Sequence, residues 1–197
     1  MTLVDVQGFS DPRGLQIDEV GIWTLRYPFK LNWAEGFSSE GVGTFGVTTR
    51  LPSENKGTHM SRMTHWVHTQ GRHLSIATLQ DQGQRLLDSL ESDEACVRVT
   101  WVGFVEKFSP KTKTASLMSY PMGLSVQFRR HEVPSVAFKI EVAVKSLCPA
   151  SKAMSMGGAH SQRARIMATF LVTPVSSVQN ALNSLERCGS AELFTTL

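Results

Sequence analysis

The chain has 197 residues, 41% hydrophobic and 19% charged, with a formal net charge of +3, which suits an ordinary folded protein with one substantial core or two small ones. Its apolar runs are far shorter than a membrane span needs, and no long Lys/Arg run marks a nucleic-acid surface. The opening Met1-Thr2-Leu3-Val4-Asp5 lacks the basic-then-apolar order of an export signal, so the reading is a cytoplasmic protein without a membrane or nucleic-acid partner.

Three cysteines, Cys96, Cys148 and Cys188, are an odd number and widely spaced, which argues against a disulfide framework. Cys96 lies in a strand-like run and reads as a small core residue.

In chain order, Val20 to Tyr27 reads as a strand ended by Pro28, and the Gly/Ser-rich stretch Gly36 to Gly43 as a hairpin loop. Thr44 to Leu51 alternates and is rich in β-branched residues, so it is a strand. Apolar spacing then changes to three and four, predicting a helix capped by Thr58 or Ser61 and running through Trp66 and Val67. A second helix spans about Thr78 to Leu90, with Leu79, Leu86, Leu87 and Leu90 on one face. Strands follow at Val97 to Val102 and at Ser116 to Arg129, then at Ser135 to Val144 and Ala164 to Val172. Ser176 or Ser177 caps a last amphipathic helix through Val178, Leu182 and Leu185. The order strand-strand-helix-helix-strand-strand is a complete unit, and the remaining strand-strand-helix reads as half of a second.

Two local sequences carry chemistry. Leu147-Cys148-Pro149-Ala150-Ser151-Lys152 precedes Gly158-Ala159-His160-Ser161-Gln162-Arg163, with the thiol twelve positions before the imidazole. A Cys and a His that converge can share a metal ion; the same residues also read as a structural thiol at a strand end and a surface histidine beside a turn. Gly57-Thr58-His59-Met60-Ser61-Arg62 opens a helix, where backbone amides and an arginine suit an anion, although capping and a subunit contact explain it equally. His65 and His68 share a helix face. Lys107 and Lys152 are further phosphate partners, and Glu106 a candidate for a structural ion pair.

Four blocks together resemble the type IB GTP cyclohydrolases of the tunnelling-fold superfamily. They are Asp5-Val6-Gln7 with Gly21-Ile22 and Leu25-Arg26-Tyr27-Pro28; Lys56 to Arg62; Phe104-Val105-Glu106-Lys107 with Ser116-Leu117-Met118; and Cys148 to Arg163. The resemblance implies an α+β tunnelling fold, an antiparallel sheet with two helices on one face: one complete module at 1–131 and a partial second at 132–197. It implies a hydrolase of pterin/folate biosynthesis that binds GTP between subunits. Such an enzyme opens the guanine imidazole ring, expels C8 as formate and recloses the product as dihydroneopterin triphosphate. A divalent metal (zinc, manganese or iron) is implied, with Cys148 as its thiol ligand and His160 as active-site histidine, a proton carrier or second ligand. Thr58, His59, Ser61, Arg62, Lys152, Gln162 and Arg163 are the substrate-binding candidates.

Departures accompany the likeness. Ala150 stands where the family usually has a second Cys, Ser161 where it has Asn, and Ser119-Tyr120-Pro121 where it has Asp-Tyr-Glu. Pro121 there argues for a sheet edge or a bend. The family's later portion, with a metal-ligand glutamate, a guanine-gripping glutamate and a further histidine, lies beyond Leu197. The expectation is therefore a C-terminally shortened member, a homo-oligomer or a partner of a second chain supplying those groups. The alternatives are a relative acting on another purine nucleotide or intermediate, or a non-catalytic subunit.

Overall fold

The computed structural model describes residues 9–33, 37–172 and 177–195. Asp5-Val6-Gln7 of the first family block, Gly36 and Ser176 lie outside them. Among the described residues seven strands form one sheet: β1 (Ile17–Asn32), β2 (Ser38–Leu51), β3 (His73–Ser75), β4 (Glu94–Phe108), β5 (Ala115–Arg129), β6 (Ser135–Leu147) and β7 (Ser161–Leu171). The order across the sheet is β3-β1-β2-β4-β5-β6-β7. All neighbours are antiparallel except β1 and β3, which run parallel. Among the described residues four helices accompany it: α1 (Met60–Trp66), continued by a π-turn at Val67–Gly71, α2 (Leu79–Leu90), α3 (Pro149–Met154) and α4 (Val178–Arg187). This is the expected α+β architecture, and the boundary at 131/132 falls in the β5–β6 turn, across which the sheet continues.

Alternation decides which face is dry. In β4, Val97, Val99 and Trp101 are buried while Thr100, Val102 and Phe104 are exposed, as period-2 geometry requires. The buried rows of β1 to β6 meet Met63 and Trp66 of α1, Leu86 and Leu87 of α2, and Val178 and Leu182 of α4. The buried Trp66 indole donates from Nε1 to the Gln82 carbonyl at 2.9 Å, tying α1 to α2. Ser177 caps α4, its hydroxyl accepting from the Asn180 amide at 3.3 Å.

The structure corrects several element boundaries. β1 runs through Pro28, because beside Pro28 β1 is the sheet edge: β3 pairs only with Lys30 to Asn32. A proline is tolerated where no neighbour needs its N–H. The glycine-rich stretch is the start of β2, not a loop. A Cβ on Gly43 would stand 2.8 Å from Val99 Cγ2, so the glycine serves close packing. The α1 N-cap is His59 rather than Thr58 or Ser61, and it makes no side-chain cap. The π-turn, β3 and α3 are additions to the expected elements.

The sheet splits at one end. β5 and β6 pair only from Met122 to Gln127 and Ser135 to Ile140; beyond, β6 pairs with β7 alone and β5 with β4 alone. Pro121 is the last β5 residue before the β6 pairing begins, so the bend its missing N–H suggested is here. The segment after α4 fills the split. Its Ser190 amide donates to the Lys145 carbonyl at 2.8 Å, Lys145 N–H donates to the Ala191 carbonyl at 3.0 Å, and Thr195 Oγ1 reaches Ser116 Oγ on β5 at 2.5 Å.

A buried polar cluster fastens this wedge. Lys107 Nζ donates to Glu186 Oε1 at 2.8 Å and to the Leu193 carbonyl at 3.1 Å, and sits 4.4 Å from the centre of the Phe194 ring. Tyr120 donates to the same Glu186 oxygen at 2.7 Å. Burial, and then that hydrogen bond, push the Tyr120 phenol well above its ordinary range. The Lys107 and Glu186 side chains are only 11% and 4% exposed, so removing one partner strands a buried charge. Lys107→Met is therefore expected to cost about 3–5 kcal/mol in urea unfolding, and Lys107→Met with Glu186→Leu to recover most of it. Equal losses in both variants would show that the pair itself contributes nothing.

Candidate functional site

The candidate residues fall at opposite ends of the sheet. The β6–β7 hairpin ends at the Leu147–Ser161 pair, and one further backbone bond closes its mouth: Cys148 N–H donates to the His160 carbonyl at 3.3 Å. The pairing register therefore sets Cys148 and His160 opposite each other, although they are twelve positions apart in the sequence. Between them α3 and a Gly-Gly turn form an excursion. Cys148 is the N-cap of α3, its Sγ accepting from the Ser151 amide at 3.5 Å, and the Ser151 hydroxyl accepts from the His160 amide at 3.2 Å. Cys148 is half-buried and His160 exposed. Lys152, Gln162 and Arg163, all exposed, surround this mouth on α3 and the first residues of β7.

Thr58 and His59 lie at the other end. They line a cavity of about 900 Å³ with the ends of β2 and β5, the start of β4 and the end of α2. Its charged lining is mixed: Arg50, Arg129 and Arg130 stand among Glu54, Glu91, Asp93, Glu94 and Glu132. Carboxylates outnumber guanidinium groups here, which disfavours a triphosphate in this cavity alone. Arg130 is occupied by Asp88 at 2.8 Å and Asp93 at 3.1 Å.

Ser61 and Arg62 face away from that cavity, into a groove between α1 and α2. Arg62 donates to Glu91 and to the Ser89 carbonyl, both at 2.8 Å. The run Gly57 to Arg62 is thus divided between two surfaces, and α1, seven residues long without a side-chain cap, is a small dipole. The strands fix the separation between ends: β6 alone has 13 residues, about 40 Å of extended chain. Within one chain, Thr58 and His59 cannot reach the mouth.

The other sequence candidates have their places. His68 is engaged by the Tyr27 hydroxyl, 2.5 Å from its Nδ1. Glu106 is exposed, and the structural ion pair expected of it belongs to its neighbour Lys107. That pair was legible: Glu186 follows Val178 and Leu182 at spacings of four, which places a carboxylate on the apolar stripe of α4.

For a divalent metal, the mouth offers a soft thiol and an imidazole. This donor chemistry fits zinc or a neighbouring transition metal. Among the described residues no group of three or more His, Cys, Asp or Glu side chains could hold an ion together, so the mouth provides part of a ligand set. Ala150, where the family has its second Cys, is exposed on α3.

Comparison with known proteins decides the family. A family model described as type I GTP cyclohydrolase FolE2 matches residues 3–197. The chain belongs to the FolE2 GTP cyclohydrolase family. It is 31% identical over 195 residues to the GTP cyclohydrolase FolE2 of Nitrosomonas eutropha, covering 99% of this chain and 73% of that protein. With the FolE2 proteins of Ralstonia nicotianae and Herminiimonas arsenicoxydans the identity is 35% and 33% over 193 residues, 98% of this chain and 71% and 73% of theirs. No helix among the described residues is long and apolar enough to cross a membrane.

The three thiols differ in a way that is simple to measure. Cys96 is buried and burial pushes its thiol above the ordinary range, whereas Cys148 is half-buried and Cys188 exposed. Brief iodoacetamide treatment of the native protein at about pH 8, followed by peptide mass mapping, is expected to label Cys188 and Cys148 and to spare Cys96, because the thiolate is the nucleophile. Labelling of Cys96 ahead of Cys148 would contradict this placement.

Proposed function

We propose that the chain acts as a GTP cyclohydrolase of the FolE2 kind, converting GTP and water to formate and dihydroneopterin triphosphate. The observation that supports this is the Cys148–His160 mouth in a chain of the FolE2 family: a soft ligand and a proton carrier held opposite each other by hairpin register. His160 transfers protons at the imidazole ring of guanine as it opens. Cys148, with His160 or a group from elsewhere, would hold the divalent metal, whose contribution when bound is Lewis acidity for hydrolysis. Lys152, Gln162 and Arg163 orient the nucleotide at the same mouth, Arg163 through a phosphate contact.

Thr58 and His59 enter such a site from a second copy, since their own mouth lies a strand's length away. Ser61 and Arg62 support the α1–α2 surface behind them. The chain in this reading is a homo-oligomer, each subunit one complete tunnelling module and part of a second. The outer β7 edge and most of the outer β1 edge, unpaired among the described residues, suit such closure.

The test is formate release and fluorescence of oxidised pterin from GTP with Mn²⁺ or Zn²⁺. Cys148→Ala is expected to abolish both, and His160→Ala to lower kcat by about 10²- to 10⁴-fold. A folded, metal-loaded wild type producing neither formate nor pterin would overturn the reading in favour of another purine nucleotide or a supporting subunit.

A further inference from the structure

The excursion between Cys148 and His160 has no core of its own. From Pro149 to His160 every residue is exposed or half-buried, and α3 buries none of its residues. A segment without apolar contacts to fix it holds its shape by hydrogen bonds. Two serines supply the side-chain bonds. At the tip, the Ser155 hydroxyl engages the Gly158 carbonyl and accepts from the Gly158 amide at 2.9 Å, which closes the Gly-Gly turn. At the base, Ser151 touches both functional residues with different groups. Its amide donates to Cys148 Sγ at 3.5 Å, and its hydroxyl accepts from the His160 amide at 3.2 Å. Among the described residues, no other side chain joins the thiol arm to the histidine arm beyond the Leu147–Ser161 pair.

We propose that Ser151 is a positioning residue, whose hydroxyl fixes His160 against the arm that carries the thiol so that the pair can serve one metal ion. The proposal rests on the reading of the mouth as a metal-assisted hydrolytic site. Cys148 N–H already bonds the His160 carbonyl at 3.3 Å. One bond alone lets the arms pivot about it; the Ser151 bond, made to the amide of the same histidine, is the second fixed point. Such supporting bonds matter because a misplacement of about 1 Å costs an active site on the order of 100-fold. The bland role for Ser151 is that of a residue in the first turn of α3. Alanine is the better helix former, so Ser151→Ala favours α3 while cutting the tie, and a helix role predicts no loss at the site.

The experiment compares wild type, Ser151→Ala and Ser151→Thr in the full chain by amide hydrogen exchange, cobalt(II) titration and GTP kinetics. Ser151→Ala is expected to exchange the His160 amide about 5- to 10-fold faster, the worth of one hydrogen bond. It should bind cobalt about 10-fold more weakly, with a weaker thiolate-to-cobalt charge-transfer band, and melt at the wild-type temperature. With GTP its kcat should fall while KM stays near wild type. Ser151→Thr, which keeps the hydroxyl, is expected to restore the exchange rate, the cobalt band and kcat. Exchange and cobalt binding equal in wild type and Ser151→Ala overturn the proposal, as does a wild type without a Cys148-dependent cobalt band. Weaker cobalt binding by Ser151→Ala in a protein that forms no pterin from GTP supports the positioning role while sinking the cyclohydrolase reading. Pterin formation in which Ser151→Ala matches wild type in kcat and cobalt spectrum does the reverse.

Discussion

A strand cannot fold back on itself, and in this molecule that constraint governs everything about the site. Strands of 11 to 16 residues carry the chain across the full length of the sheet at each pass, except in the short β3. Loops therefore collect at two ends separated by about 40 Å. Cys148 and His160 are at one end, and Thr58 and His59 at the other. A nucleotide touching both sets must lie between two copies. Oligomerisation is in this account a requirement of the chemistry rather than an addition to a finished subunit.

The mouth end has its own constraint. β6 leaves β5 after Ile140, and its freed backbone groups would be unsatisfied without the segment after α4. Lys107, Glu186 and Tyr120 hold that segment down, and Ser190 also accepts the Leu147 amide, next to Cys148. The buried ion pair thus supports the strand that carries the thiol. Such a cluster is a weak source of net stability but costly to leave half-made.

Much of this was legible in the sequence, and the exceptions have physical causes. Alternation at Val97 to Val102 and Ser135 to Val144, and the leucine spacing of α2, gave the right elements because each has one buried face. Pro28 and the glycines before Thr44 misled, since their meaning depends on neighbours: an open edge beside β1, a crowded packing site beneath Gly43. The twelve-position spacing of Cys148 and His160 pointed to one site, and the hairpin register brings them opposite. Gly57 to Arg62 looked like one anion site, but a helix start turns successive residues to different surfaces, and Arg62 was claimed by Glu91. Where the two ends stand relative to each other was not readable, because it depends on the order of strands rather than on any local motif.

The most direct test of the two-ended site is subunit complementation. Cys148→Ala and His59→Ala chains are each made, shown to be folded and lacking GTP cyclohydrolase activity, then mixed, unfolded together and refolded. If each site takes its mouth from one copy and its Thr58–His59 surface from another, the mixture recovers about a quarter of the wild-type rate, the fraction of pairings with both halves intact. A mixture as inactive as its components, with mixed oligomers demonstrated, would place both halves of the site in one chain or remove His59 from it, and would contradict the account.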